Sequence, residues 1–243
     1  MATIAAPASA PEQSVLQRER TFYFRMSLVF LAAAVAGFGF FFAIGASSFA
    51  SPWWVHVHAL TMVGFLGLYI LQSWLVHRGD LATHRRFGVA GAVMSVWLVV
   101  YGCWAITQTI ALGRIAPFFT PNFFLAMDWT NMAVFAGLAG AAIAMRRRAD
   151  WHKRLMFGAM LSLMSVAWGR LIQPQIFDQR GIVLILVVLL GHVGAAMLFD
   201  RRAHGRIHPA HWWTVGSLIA WVGLTFLLAD AAPVLALVES FSA

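Results

Sequence analysis

A chain of 243 residues that is 61% hydrophobic and 11% charged, with mean hydropathy +0.77, falls outside the soluble globular class and with the polytopic membrane proteins. The net charge of +8 would suit nucleic acid, but nearly all basic residues lie in short loops between apolar runs, where membrane topology accounts for them. Nucleic acid is thereby excluded as a partner, and the lipid bilayer is the expected one.

In chain order, residues 1–24 are polar and Ala/Pro-containing and read as a flexible cytoplasmic tail ahead of a membrane domain over 25–240. Seven apolar segments follow, at about 26–48, 54–76, 87–112, 122–145, 155–172, 181–199 and 212–237, each near the roughly 20 residues that a helix needs to cross about 30 Å of hydrocarbon. The first is too long for a signal-peptide core, although Ser48-Phe49-Ala50 resembles a cleavage site, so it reads as a retained span. No segment alternates with period two, which excludes a barrel. The expected fold is an all-α bundle of seven transmembrane helices.

Breakers separate the spans: Gly45 and Pro52, Gly79, Pro117 and Pro121, Pro174, Gly205 and Pro209. Pro233 is the only proline placed inside a span, near the end of the seventh. With the N-terminus inside, the inner segments hold three, three, five and three of the Lys and Arg residues, leaving only Arg114, Arg170 and Arg180 outside. The bias orients the chain with its N-terminus cytoplasmic and C-terminus periplasmic, which in a bacterium means the inner membrane. Glycine pairs at Gly64/Gly67, Gly88/Gly91 and Gly137/Gly140 would let helices approach closely. Cys103 is alone, so no intrachain disulfide forms.

Depth sorts the polar residues into two layers. At about 1.5 Å per residue, His58 lies about 6 Å into the second span and Asp128 about 9 Å into the fourth, with Arg170 near the outer end of the fifth. A charge inside a span costs at least ~2.5–3.5 kcal/mol unless it faces the bundle and is paired. Asp128 and Arg170 are the expected partners, with Asp230 in reserve. The bland reading is an ion pair that locks helices; the sharper one is a ligand site open to the periplasm. His56, His58 and Asp128 have ligand types for a transition metal, although positions i and i+2 share no helix face unless the first turn unwinds. Arg170 favours an anion, a carboxylate or a quinone carbonyl instead.

In the inner layer, His77, His84, His152, His204, His208 and His211 accompany Asp80, Asp150 and Asp200. Most read as interfacial residues or helix caps, with Thr83 and Asp150 at cap positions. His84 and His152 stand out as candidate ligands. His192, deeper, reads as a hydrogen-bonding residue of the bundle.

The run His58-Ala59-Leu60-x-Met62, then Gln72, Leu75 and His84-Arg85-Arg86-x-Gly88, followed by His152-Lys153-Arg154-Leu155-Met156, resembles a group of uncharacterised bacterial multi-pass proteins. More distantly it is similar to the cytochrome b561-type membrane cytochromes. The resemblance covers about the middle half of the chain. It implies haem b held by histidines at two levels and electron transfer from a small reductant or quinol. The pattern departs from it on the outer side, where histidines come from the second span alone.

The functional expectation is a membrane protein with a periplasm-facing His/Asp/Arg site, binding haem, a metal or a quinone in a redox or redox-accessory role. Its cofactor-binding residues would be His58, Asp128, Arg170, His84 and His152. A small-solute transporter and a non-catalytic assembly subunit are the alternatives. A retinal receptor is excluded because Lys153, the sole lysine, lies in a loop. The chain has no Walker loop, nucleophile elbow or H-E-x-x-H helix.

Overall fold

A computed structural model describes residues 10–242, with side chains from 14 to 241. The helices are α1 (Ala10–Ala43), α2 (Trp53–Arg78), α3 (Leu81–Ala111), α4 (Pro121–Ala144), α5 (Ala149–Ile176), α6 (Gly181–His204), α7 (Ala210–Ala229) and α8 (Ala232–Ser242). The first seven are long and apolar enough to cross a membrane, as the composition requires. The described residues contain no strand.

Local chemistry sets the ends. Between α2 and α3 the chain reverses on Gly79, whose φ of +82° closes the last turn of α2, while the Asp80 carboxylate accepts from the Thr83 N–H at 3.0 Å. Asp80, not Thr83, is the cap of α3, and this bond holds its carboxyl below the usual range. Thr120 caps α4 ahead of Pro121, which suits a first turn. Asp150 lies in the first turn of α5, two residues past the cap position taken by Arg148.

Two boundaries differ from the sequence expectation. Helix α1 begins at Ala10, so the flexible tail read over 1–24 is helical from there on; its first nine residues lie outside the described residues. The seventh segment is two helices. Asn122 of α4 donates to the last carbonyls of α7 at Ala229 (2.9 Å) and to Asp230 Oδ1 (3.1 Å), which ends α7 there. Pro233 then falls in the first turn of α8, where its missing N–H costs nothing. At 11 residues, α8 spans about 16 Å and cannot cross; it packs on α3, α4 and α7.

Helices α1 to α5 close a ring, each packed on the next and α5 on α1, while α6 and α7 lie against α5 and α7 also packs closely on α4. Across the ring a plug of Phe30, Phe65, Tyr69, Phe135 and Phe157 fills the middle. Phe30 stacks on Phe157 (5.5 Å between ring centres), and Phe65 meets Phe135 edge-on (5.5 Å). Polar residues lie on either side of this plug, which is what creates two sites.

The glycines that allow close approach are only partly the ones the spacing marks: a Cβ on Gly64 would lie 3.0 Å from the Met94 side chain of α3. A Cβ on Gly137 or Gly140 would meet nothing, and one on Gly91 only ordinary contacts. A Cβ on Gly37 would collide with the Ala167 backbone carbonyl, and one on Gly158 with Thr214 Oγ1. Those positions set the α1–α5 and α5–α7 crossings. Gly37→Ala is expected to lower stability by about 1–3 kcal/mol, since backbone must move. Gly137→Ala should leave it unchanged, and thermal melts in detergent compare the two.

Candidate functional site

Three polar groupings stand out, two on the side of the bundle that carries the start of α1 and one on the opposite side. The first is a buried charge network. Arg154 donates through Nε to Asp200 Oδ2 (2.7 Å) and through Nη2 to Asp200 Oδ1 (2.6 Å) and Glu19 Oε1 (2.8 Å). Its Nη1 bonds the Asp150 carbonyl (2.9 Å). Lys153 reaches Glu19 Oε2 at 2.6 Å, and His211 Nε2 lies 2.9 Å from Asp200 Oδ2. Arg154, Glu19, Asp200 and His211 are all buried, so one guanidinium ties α1, α5 and α6 together, and Asp200 carries the tie on to α7.

Sequence reasoning missed this network because each member had a simpler explanation. Arg154 counted as a topological charge, Asp200 and His211 as interfacial, and Glu19 fell in the presumed tail. The available signal was an acid among the arginines of a segment whose Phe22, Tyr23, Met26 and Phe30 continue helical spacing.

Among the described residues, Glu19, Asp200 and His204 are the trio whose ligand atoms converge enough for a metal ion. Their chemistry argues otherwise. The Arg154 Nη2 bridges one oxygen of each carboxylate and Lys153 takes another, so the lone pairs an ion would need already accept from cations. Nearby, His208 Nδ1 accepts from the Ala210 N–H (3.1 Å), leaving its Nε2–H for Asp150 Oδ2 (3.1 Å). Burial pushes the His208 imidazole below the ordinary histidine range, opposed by the Asp150 bond; the neutral tautomer fits both contacts.

The second grouping joins His84 of α3 to His152 of α5. Their ring centres are 6.3 Å apart with planes at 74°. His152 Nδ1 donates to the Ala142 carbonyl at 2.8 Å, which leaves the lone pair on Nε2. His84 Nδ1 is buried with no partner, and the ring lies near the Gln72 backbone. The Gln72 side chain lies against Gly88, and its Oε1 is also unpartnered. Two imidazoles from different helices, one of them oriented by a carbonyl, resemble the outer-sphere arrangement that orients metal ligands.

The third grouping is His58 of α2, Asp128 of α4 and Arg170 of α5, all half-buried. The Arg170 charge acts on both other residues, so the three share one region as the depth reckoning expects. The expected Asp128–Arg170 ion pair does not form. Arg170 lays its guanidinium over the Phe38 ring (4.0 Å) and near Phe41 (5.2 Å), and donates through Nη1 to the Val166 carbonyl of its own helix (3.2 Å). The aromatic faces of α1 hold the cation in place of the carboxylate. Asp230, the reserve partner, is engaged by Asn122.

The metal set His56, His58 and Asp128 does not assemble. Helix α2 is regular from Trp53, so His56 and His58 point about 200° apart, and their ligand atoms do not converge with Asp128. His192 behaves as the bundle residue expected, donating to the Val188 carbonyl at 2.8 Å between Phe30 and Trp168. Asn131 ties α4 to α5 through Ser162 O and Ser165 Oγ. Pro174 lies inside α5, not between spans, so α5 lacks the hydrogen bond from residue 174 to the Arg170 carbonyl. No protein-family model matches this sequence, and neither a curated protein nor a solved structure matches it.

Proposed function

We propose that this chain is a membrane redox protein that holds a haem iron between His84 and His152, on the side of the bundle that faces the cytoplasm. The observation that carries the reading is the His84–His152 pair itself. Two imidazoles that hold one ion have ring centres no more than about 6.4 Å apart, from a metal–nitrogen distance of about 2.0 Å and about 1.2 Å from nitrogen to ring centre on each side. The separation in the structure is 6.3 Å.

The donor set favours haem over a bare ion. Zinc and most transition ions take three or four protein ligands, and this pair is part of no three-ligand group among the described residues. A haem iron brings four ligands of its own and asks the protein for two. The resemblance to the b561-type cytochromes, which hold haem through paired histidines, supports the same choice. When bound, the iron supplies one-electron chemistry. His84 and His152 would anchor it, and the Ala142 carbonyl would fix the orientation of the His152 ring. The basic loops of the α1 side favour a cytoplasmic placement in a bacterial inner membrane.

An absorption spectrum with iron analysis on detergent-purified protein tests the reading. A Soret band with about one iron per chain is expected; a colourless, iron-free protein after expression with haem supplied would end it.

A further inference from the structure

We infer that the groove between the first half of α1 and the last half of α2 seats an acyl chain of one anionic phospholipid, whose phosphate is held at the groove's end by Arg20 and Arg78. The site uses neither His84 nor His152 and does not rest on the haem reading.

The groove has a volume of about 370 Å³ and is lined by Phe24 and Leu28 of α1 and by Gly67, Ile70, Leu71 and Trp74 of α2. A Cβ on Gly67 would meet nothing within 4 Å, so the absent side chain is what hollows the surface there. The lining is apolar or aromatic, and both helices are long enough to cross a membrane. An outward groove along them faces hydrocarbon, and its occupant is a lipid chain rather than a soluble molecule. From Gly67 to Arg78 the α2 axis rises about 16 Å, close to one leaflet of a core about 30 Å thick. The two walls are fixed to each other: Phe24 stacks on His77 (5.2 Å), and Gln17 Nε2 donates to the His77 carbonyl (3.4 Å). A lipid therefore meets a formed groove.

Charge at the end of the groove selects the lipid. Arg78 folds back along the membrane face, with its guanidinium carbon 4.9 Å over the Trp74 ring. Arg20 of α1 reaches the same turn, its Nη1 3.8 Å from where a Cβ on Gly79 would stand. Two guanidinium groups from different helices thus border one end, and among the described residues neither makes an ion pair or a hydrogen bond. The acid of this turn, Asp80, accepts from the Thr83 N–H and acts on Arg78 only at a distance. A phosphodiester offers its oxygens to paired guanidinium groups, and a zwitterionic lipid brings a cation that the arginines repel. The alternative is that both arginines serve topology alone and that the groove takes any lipid.

Native mass spectrometry of the delipidated full-length protein, titrated with phosphatidylglycerol or phosphatidylcholine of identical acyl chains, separates these. The first lipid bound should be phosphatidylglycerol, held at least about fivefold more tightly than phosphatidylcholine. Arg20→Gln combined with Arg78→Gln should bring that ratio close to one. Arg146→Gln combined with Arg147→Gln removes the same charge from exposed positions between α4 and α5 and should leave the ratio unchanged. Gly67→Leu fills the groove and should weaken the first phosphatidylglycerol about fivefold or more. The inference is overturned if the wild-type ratio is near one, if it survives loss of Arg20 and Arg78, or if the Arg146 and Arg147 pair lowers it equally. It is also overturned if Gly67→Leu binds as the wild type does, or if the groove instead supports a dimer that Gly67→Leu abolishes. Should the Arg20 and Arg78 variant fail to fold, the wild-type ratio, the Arg146 and Arg147 pair and Gly67→Leu decide.

Discussion

Arg154→Ala is expected to cost about 3–5 kcal/mol and to leave little folded protein in detergent, because removing one member of a buried ionic group strands the others. Arg154 is the hub: without it, the Asp200 carboxylate keeps only His211, and Glu19 keeps Lys153 and a longer 3.4 Å contact with His204. Both acids are buried, so each would carry an uncompensated desolvation cost. Lys153→Ala is the contrast. Its side chain is 29% exposed and contacts Glu19 alone, so its loss should cost no more than about 1 kcal/mol. The midpoints of thermal unfolding, followed by tryptophan fluorescence or by size-exclusion recovery, compare the two. Equal losses would mean that Arg154 is not the hub of the network.

His84→Ala and His152→Ala are each expected to abolish the Soret band while leaving a folded, monodisperse protein. Neither ring takes part in the buried network, and the hydrogen bond lost with His152 runs to a helix-terminal carbonyl near the membrane surface. Loss of either histidine should therefore act on a bound haem far more than on the fold. His192→Ala is the control. That histidine lies between Phe30 and Trp168 and bonds its own helix, so its removal should leave the spectrum unchanged. A band that persists in both single variants would place the cofactor elsewhere.

The fold was largely legible because membrane spans are written in long apolar runs, and seven such runs became seven long helices. Legibility failed where packing rather than hydrophobicity set the boundary. The break between α7 and α8 depends on Asn122, more than one hundred residues away, capping the carbonyl of Ala229. The start of α1 at Ala10 depends on Phe22 stacking on Phe199 (4.5 Å) and on Glu19 reaching Arg154, contacts no local pattern reports.

The sites divide in the same way. Depth along each helix was enough to bring His58, Asp128 and Arg170 to one level, because rise per residue is nearly constant. It could not say that Arg170 would choose Phe38 over Asp128, since that depends on how α1 is rotated against α5 at Gly37 and Ala167. His84 and His152 were recognisable from their matched places at the starts of α3 and α5. The charge network was hidden because the positive-inside bias explains Arg154 so well that no further role is asked of it.

Two imidazoles from α3 and α5 are proposed to serve one iron. Electron paramagnetic resonance of the oxidised, purified protein addresses it most directly, since a ferric haem with two histidine ligands is low-spin. A low-spin ferric signal that is lost on His84→Ala and on His152→Ala is the expected result. A high-spin haem signal in the wild-type protein, or a low-spin one indifferent to both substitutions, would contradict it.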